Sequence, residues 1–362
     1  MKINILIPLA GKNTFQTNDK ISFPRILNEI NGKLLIEYAA KPFIDLEIEK
    51  TLTIAIPKKE SDKYQLSKIV PLLGDGIKVC TINGNTKGAA CSALLAIESL
   101  DLDSPLIISS FEQVLGFSIG KHINSFIEEN VDAGVLTFEA IHPKWSFVKT
   151  DSNGYVVQAA EKMPISKRAI AGLYYFKTAR LFIESAKSMI RKDIKTNDSF
   201  FISPTLNEII LKEGIVKSIN IDKEKYFHIN DDHSLDTFEL FVTKDKLKSK
   251  ILDKTMGYVS SFNNRNISEV VSYFSEHFKL TDPSVRLNGR NEVQLYIDNI
   301  FNTFDDVRFV SNRISVTDDN ISIIEFVLNL GSKEFLGVDV IKWDESLQMI
   351  EMNAFLYEVF DE

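Results

Sequence analysis

The sequence predicts an α/β fold, a mostly parallel mixed sheet in three layers, followed by a smaller α+β domain shaped like a cone. Three observations lead there. Short apolar runs alternate with stretches of helical spacing through roughly residues 1–240, the signature of βαβ units joined by right-handed crossovers. A charged helical stretch at 243–254 has no apolar run of its own and reads as a linker. Beyond it helices come first and long strands last. A chain of 362 residues is long enough for two cores, which places the domains at 1–242 and 256–362 with a linker helix at 243–255.

The elements follow in order. Residues 3–10 are a near-continuous apolar run, expected as a buried strand of a parallel sheet. Helical spacing over 35–46 precedes a second buried strand at 52–57, a helix at 64–73 and a third strand at 77–82. An alanine-rich helix at 86–99, a strand at 105–110, a helix at 122–130 and a strand at 132–138 extend the series. From Trp145 the pattern shortens: 145–149 and 155–159 flank the turn Asp151-Ser152-Asn153-Gly154 as a hairpin. A strand at 169–176 and helices at 179–190, at 206–213 and from about His233 close the region. In the last third, 256–262, 267–274 and 293–304 read as helices, and 307–315, 321–330, 334–343 and 347–356 as strands.

Composition narrows the function. With 44% hydrophobic and 25% charged residues and a net charge of −8, the chain has the make-up of a soluble globular protein. A pI near 5.4 argues against non-specific binding to nucleic acid or anionic membranes. The two cysteines, Cys80 and Cys91, make no metal spacing and read as reduced, buried thiols. The N-terminal apolar run, about seven residues, is too short for a signal-peptide core or a membrane span. A cytoplasmic location is expected.

Several motifs in the first domain carry chemistry. A strand ending in Ala10-Gly11 and followed by Thr14 lets backbone N–H groups approach a phosphate. Pro24-Arg25-Ile26 and Gly32-Lys33-Leu34 follow, then Thr86-Lys87-Gly88, Ser110-Phe111-Glu112-Gln113, Trp145-Ser146-Phe147-Val148, Glu161-Lys162 and Ala171-Gly172-Leu173. In this order they resemble the sugar-phosphate nucleotidyltransferases over about residues 1–240, a three-layer, Rossmann-like fold. The sequence departs from the family's pattern at its phosphate loop. Asn13 stands where the second glycine belongs, no arginine follows Thr14, and Arg25 replaces a lysine.

The resemblance implies roles for these positions. Ala10, Gly11, Thr14, Thr86 and Gly88 would contact the nucleotide, with Gly88 letting the base lie on bare backbone. Thr86 reads equally well as the N-cap of an alanine-rich helix. Arg25 would carry charge at the α-phosphate, and Lys162 would pair with the acceptor's phosphate. Trp145, Glu161 and Gly172 would hold the acceptor. Mg2+ is the expected cofactor, on Glu112 and on the position held by His228. Imidazole is a poor Mg2+ ligand, and Asp231 or Asp232 would be a substitute, although both also suit a helix cap. The implied reaction moves NMP from a nucleoside triphosphate to a sugar phosphate or related phosphorylated metabolite, in surface (capsular) polysaccharide synthesis. The alternative is a degenerate member that binds nucleotide or nucleotide sugar and regulates or scaffolds.

In the second domain, Asp282-Pro283, Gly289-Arg290, Gly337-Val338-Asp339 and Ile350-Glu351-Met352 resemble the SnoaL-like family of the nuclear-transport-factor-2-like superfamily. That resemblance implies a cone pocket, into which His277, Asp282, Glu325 and Asp339 are the polar candidates to face. Phe326, Leu328, Val338, Val340 and Met352 are expected to form an exposed sheet face suited to a homodimer.

Overall fold

The structure, a computed structural model, describes residues 2–9, 15 and 23–359. It divides into two compact units, the first up to Phe238 and the second from Glu239.

The first unit is built on a nine-stranded sheet. Its main path runs Val156–Ala160, Phe147–Thr150, Arg168–Phe176, Leu106–Ile108, Ile3–Pro8, Lys50–Pro57, Ile77–Ile82. The last four strands are mutually parallel, whereas Arg168–Phe176 runs antiparallel to Leu106–Ile108. Ala133–Glu139 pairs with Arg168–Phe176 and carries Val216–Asn220 beside it. The apolar opening run behaves as its composition dictates: Ile3, Ile5, Leu6 and Ile7 are wholly buried, and such burial stabilises by about 1.5–3 kcal/mol per large side chain.

Three details of the first unit differ from the expectation. The helix foreseen at 64–73 is two, Lys58–Tyr64 and Leu66–Ile69, broken at Gln65, whose φ of 54° is left-handed. The helix foreseen at 86–99 is Ala89–Leu94 with a 3-10 turn at Ile97–Ser99. The strand foreseen at 105–110 stops at Ile108, freeing Ser109 and Ser110 for the adjoining cavity. A small antiparallel pair, Gln113–Leu115 with Tyr226–His228, forms beside the main sheet. Cys80 and Cys91 are free and only partly buried.

In the second unit, six strands lie in the order Arg286–Asn288, Phe274–Thr281, Met349–Val359, Lys333–Trp343, Ile321–Leu330, Val307–Val316. All neighbours are antiparallel except Phe274–Thr281 with Met349–Val359. Helices Ile267–Ser272 and Arg290–Thr303 accompany the sheet, and the helical stretches expected on either side of the linker belong to one helix, Asp232–Asn263. The helix foreseen at 267–274 ends two residues early because Phe274 begins a strand.

Strand alternation corrects the proposed exposed face. Phe326 and Met352 are only 4% exposed and belong to the core, and Leu328, two residues from Phe326, lines the interior cavity. The opposite face carries Val338, Val340 and the exposed rings of Phe355 and Tyr357. His277 and Glu325 are exposed and do not line the cavity, which Asp282 and Asp339 do. No helix among the described residues is long and apolar enough to cross a membrane.

Candidate active site

A cavity of about 520 Å³ opens at the carboxyl end of the parallel strands of the first unit, where Pro8, Ser109 and Ser110 form part of its wall. Ligands of open α/β sheets sit at this end. Thr86, Gly88, Glu112, Glu161, Lys162 and Gly172 all line it, brought together from four stretches of chain. Trp145, Arg25 and His228 do not. Ala10, Gly11 and Thr14 lie outside the described residues, as does Asn13.

Glu161 is the centre of the polar wall. The hydroxyls of Ser146 and Ser203 both donate to its Oε2, the latter at 2.6 Å. Burial pushes its carboxyl above the ordinary carboxylate range, opposed by these two hydroxyls and by Lys162. Lys162 holds a left-handed φ of 54°, an unfavourable conformation for a side-chain-bearing residue. Its Nζ lies 4.8 Å from the centre of the Phe201 ring, so the ammonium is parked on an aromatic face at the cavity wall.

Both glycines answer to neighbouring protein. Gly172, φ +63°, sits at an irregularity in the strand pairing. A Cβ there would fall 2.0 Å from Gln113 Oε1. Gln113 is buried, donates to Ser109 Oγ at 2.8 Å and accepts from the Tyr226 hydroxyl at 3.3 Å. Gly88, φ +117°, faces the backbone of Phe200, whose oxygen would be 2.4 Å from an added Cβ. Phe200 N donates to Lys87 O at 2.7 Å, and Ala90 N donates to Phe200 O at 3.1 Å. Gly88 itself is the N-cap residue of Ala89–Leu94, and no side-chain cap hydrogen bond is made there among the described residues. Thr86 is therefore not the cap; its hydroxyl pairs with Ser92 Oγ at 2.7 Å.

The residues expected at the phosphates and metal are distributed differently. Arg25 donates from Nη1 to Asn230 O at 2.8 Å and from Nη2 to Asp232 Oδ1 at 3.2 Å. Trp145 packs edge-on against Phe138 and His228, with Lys144 Nζ over its ring. His228 pairs in register with Gln113, and Ile229 N donates to Glu112 O at 2.7 Å, so the backbones of the two presumed metal positions are adjacent. Burial lowers the His228 pKa, against the pull of the Glu112 charge, and its Nδ1 is buried without a partner among the described residues. Asp231 caps the next helix, accepting from Ser234 N at 2.8 Å, and Asp232 holds Arg25.

These residues do not fit Mg2+ as a protein-held pair. Only Glu112 brings an oxygen donor to the cavity from the expected set, the second position offers an imidazole beneath Trp145, and both substitute aspartates are engaged. Among the described residues no group of three or more His, Cys, Asp or Glu side chains is placed to hold a metal.

Sequence reasoning missed the serines. Ser92, Ser109, Ser110, Ser146 and Ser199 line the cavity, and Ser203 backs it through its hydrogen bond to Glu161. The only signal in the sequence was the Ser109-Ser110 pair at a strand end.

Comparison with known proteins agrees with this architecture. A nucleoside-diphosphate-sugar pyrophosphorylase from Vibrio cholerae RC9 superposes with a TM-score of 0.58 at 20% identity, over 65% of this chain and 99% of its own. A Bacillus anthracis protein assigned as a glucose-1-phosphate thymidylyltransferase, in complex with sucrose, gives 0.52 at 16%, over 66% and 94%. A UDP-glucose pyrophosphorylase complexed with UDP-glucose gives 0.54 at 14%, over 67% and 100%. No curated protein sequence matches the chain. Residues 257–346 match the model of the SnoaL-like domain. The chain therefore joins a nucleotidyltransferase-like α/β fold, over its N-terminal two-thirds, to a SnoaL-like domain.

Proposed function

We propose that the first unit is a nucleotidyltransferase that moves NMP from a nucleoside triphosphate to a sugar phosphate or a related phosphorylated metabolite. The observation that carries this is the convergence of Thr86, Gly88, Glu112, Glu161, Lys162 and Gly172 on one cavity at the carboxyl end of the sheet. In this reading Glu161, positioned by Ser146 and Ser203, accepts hydrogen bonds from hydroxyls of the acceptor. Lys162 leaves the Phe201 ring to pair with the acceptor's phosphate. That phosphate attacks the α-phosphorus in line; a P–O bond forms as the bond to pyrophosphate breaks. A cytoplasmic site and a product used for surface polysaccharide belong to the same proposal, as does a second copy of the chain on the sheet face of Val338, Val340, Phe355 and Tyr357.

A second reading, nucleotide or nucleotide-sugar binding without turnover, is favoured by one observation. Arg25 is engaged by Asn230 and Asp232 rather than presented to the cavity. Pyrophosphate release from panels of nucleoside triphosphates and phosphorylated sugars separates the two. Transfer requires at least one productive pair, and Glu161→Gln then lowers kcat/KM about ten- to a hundredfold, the worth of a hydrogen bond to a charged group. If no pair turns over, the transferase reading fails; a nucleotide that still raises Tm then supports binding alone.

A further inference from the structure

The second unit encloses a cavity of about 250 Å³, lined mainly by apolar and aromatic side chains. Three carboxyl-bearing residues line it, Asp282, Asp339 and Glu358, the last paired with Lys333 at 3.1 Å. The two aspartates differ in one decisive respect. Asp282 is fully occupied: Oδ1 accepts from the backbone N–H groups of Ser284 at 2.6 Å and Val285 at 2.8 Å, and Oδ2 accepts from the Tyr296 hydroxyl at 2.9 Å. Asp339, on the inner face of Lys333–Trp343 between Ile324 and Ala354 of the neighbouring strands, is only 5% exposed and has no hydrogen-bond or ion-pair partner among the described residues. A buried carboxyl without a partner is costly, and proteins seldom keep one without a ligand or counter-charge to meet it.

The surroundings specify the charge of what would meet it. No lysine, arginine or histidine lines the cavity among the described residues, whereas Tyr258, Tyr296, Phe309 and Phe335 present rings to it. An anion entering would face the carboxyl groups of Asp282 and Asp339 with no free basic side chain in the lining among the described residues, Lys333 being paired with Glu358. A protonated amine would gain Asp339 as a direct partner, Asp282 as a second negative group, and ring faces that attract cations. Burial, with Asp282 pushing the same way, raises the Asp339 carboxyl to about 7, and an arriving cation would oppose that rise by favouring the carboxylate.

We infer that this cavity is a binding site for a small, largely apolar ligand bearing a protonated amine, anchored by Asp339. An engineered cavity of about 150 Å³ takes benzene, so this one suits a ligand of about ten non-hydrogen atoms. The inference rests on the second unit alone and stands apart from the first unit's reaction.

The test is calorimetric titration of the full chain at about pH 8 with three probes that share the phenylethyl skeleton: 2-phenylethylamine, its isostere 2-phenylethanol, and the slightly larger 3-phenylpropanoate. The amine is expected to bind one per chain, about tenfold or more tighter than the alcohol, with the carboxylate weakest. Asp339→Asn keeps the side-chain shape and should weaken the amine about tenfold while leaving the alcohol within about twofold. Amine binding no tighter than the alcohol's, an unchanged amine affinity in Asp339→Asn, or no heat from any probe would each overturn the assignment.

Discussion

Ionising Asp339 buries a charge that no hydrogen bond meets among the described residues, and that cost has a measurable sign. Its carboxyl binds a proton more tightly folded, at about 7, than unfolded, near the ordinary aspartate value of about 3.9. Folding is therefore favoured where the group is protonated. The contribution is full below about pH 4, declines as pH rises, and is lost above about pH 7, a swing on the order of 4 kcal/mol at most. The titratable groups that share its cavity, Asp282, Tyr258, Tyr296, Tyr357 and Glu358, include no base among the described residues, and the Lys333 ammonium is paired with Glu358. Urea midpoints of the wild type between about pH 5 and 8 should fall more steeply than those of Asp339→Asn, and equal slopes would remove Asp339 as the cause. At this scale the sequence was partly legible. Glu161-Lys162 could be singled out as a dipeptide, and both residues do reach the cavity. The partners of Glu161 could not, because Ser203 is 42 residues away and meets it only in the folded chain. Gly88 and Gly172 could be recognised as special, but their need for glycine comes from the Phe200 backbone and the Gln113 side chain, contacts no local pattern encodes.

Elements show the same division between local and distant causes. The long βαβ series was readable because each run repeats one period, and the strands at 3–8, 50–57 and 77–82 fall where the apolar runs lie. Gln113–Leu115 and Tyr226–His228 were not, since three residues are too few to show alternation and their pairing spans more than a hundred positions. Choosing a face in the second sheet failed for another reason. Residues of both faces are apolar, so only the cross-strand register, which pairs Phe326 with Gly337 and Glu325 with Val338, tells inside from outside. The helix Ala89–Leu94 offers the test at this scale. Phe200 is held at its N-terminal end by two backbone hydrogen bonds, one to Lys87 just before the helix and one from Ala90 within it, and the chain runs on to Ser203 and so to Glu161. Gly88→Ala drives a methyl into backbone that has no rotamer to yield, in a conformation that already disfavours side chains. The expected loss is about 2 kcal/mol or more in unfolding free energy, together with weakened ligand binding at the Glu161 wall. Wild-type stability in this variant would mean that the segment around Phe200 is not fixed against the helix.

For the whole molecule, what matters is that each unit has its own buried core. In the first it centres on residues such as Leu6, Leu106, Phe176 and Phe182, and in the second on Phe274, Phe278, Val293 and Ile341. Units of this kind unfold as separate cooperative blocks unless something couples them. The two proposed ligand sites then give each block its own label, because a ligand stabilises only the state that binds it. Scanning calorimetry of the full chain should resolve two transitions. A nucleotide is expected to raise the one belonging to the first unit and leave the other in place. Asp339→Asn at about pH 8 is expected to raise only the transition of the second unit, since it removes the charge that high pH would otherwise force into that cavity. A single transition moved by both perturbations would mean that the units unfold together, and the separate treatment of their stabilities would have to be given up.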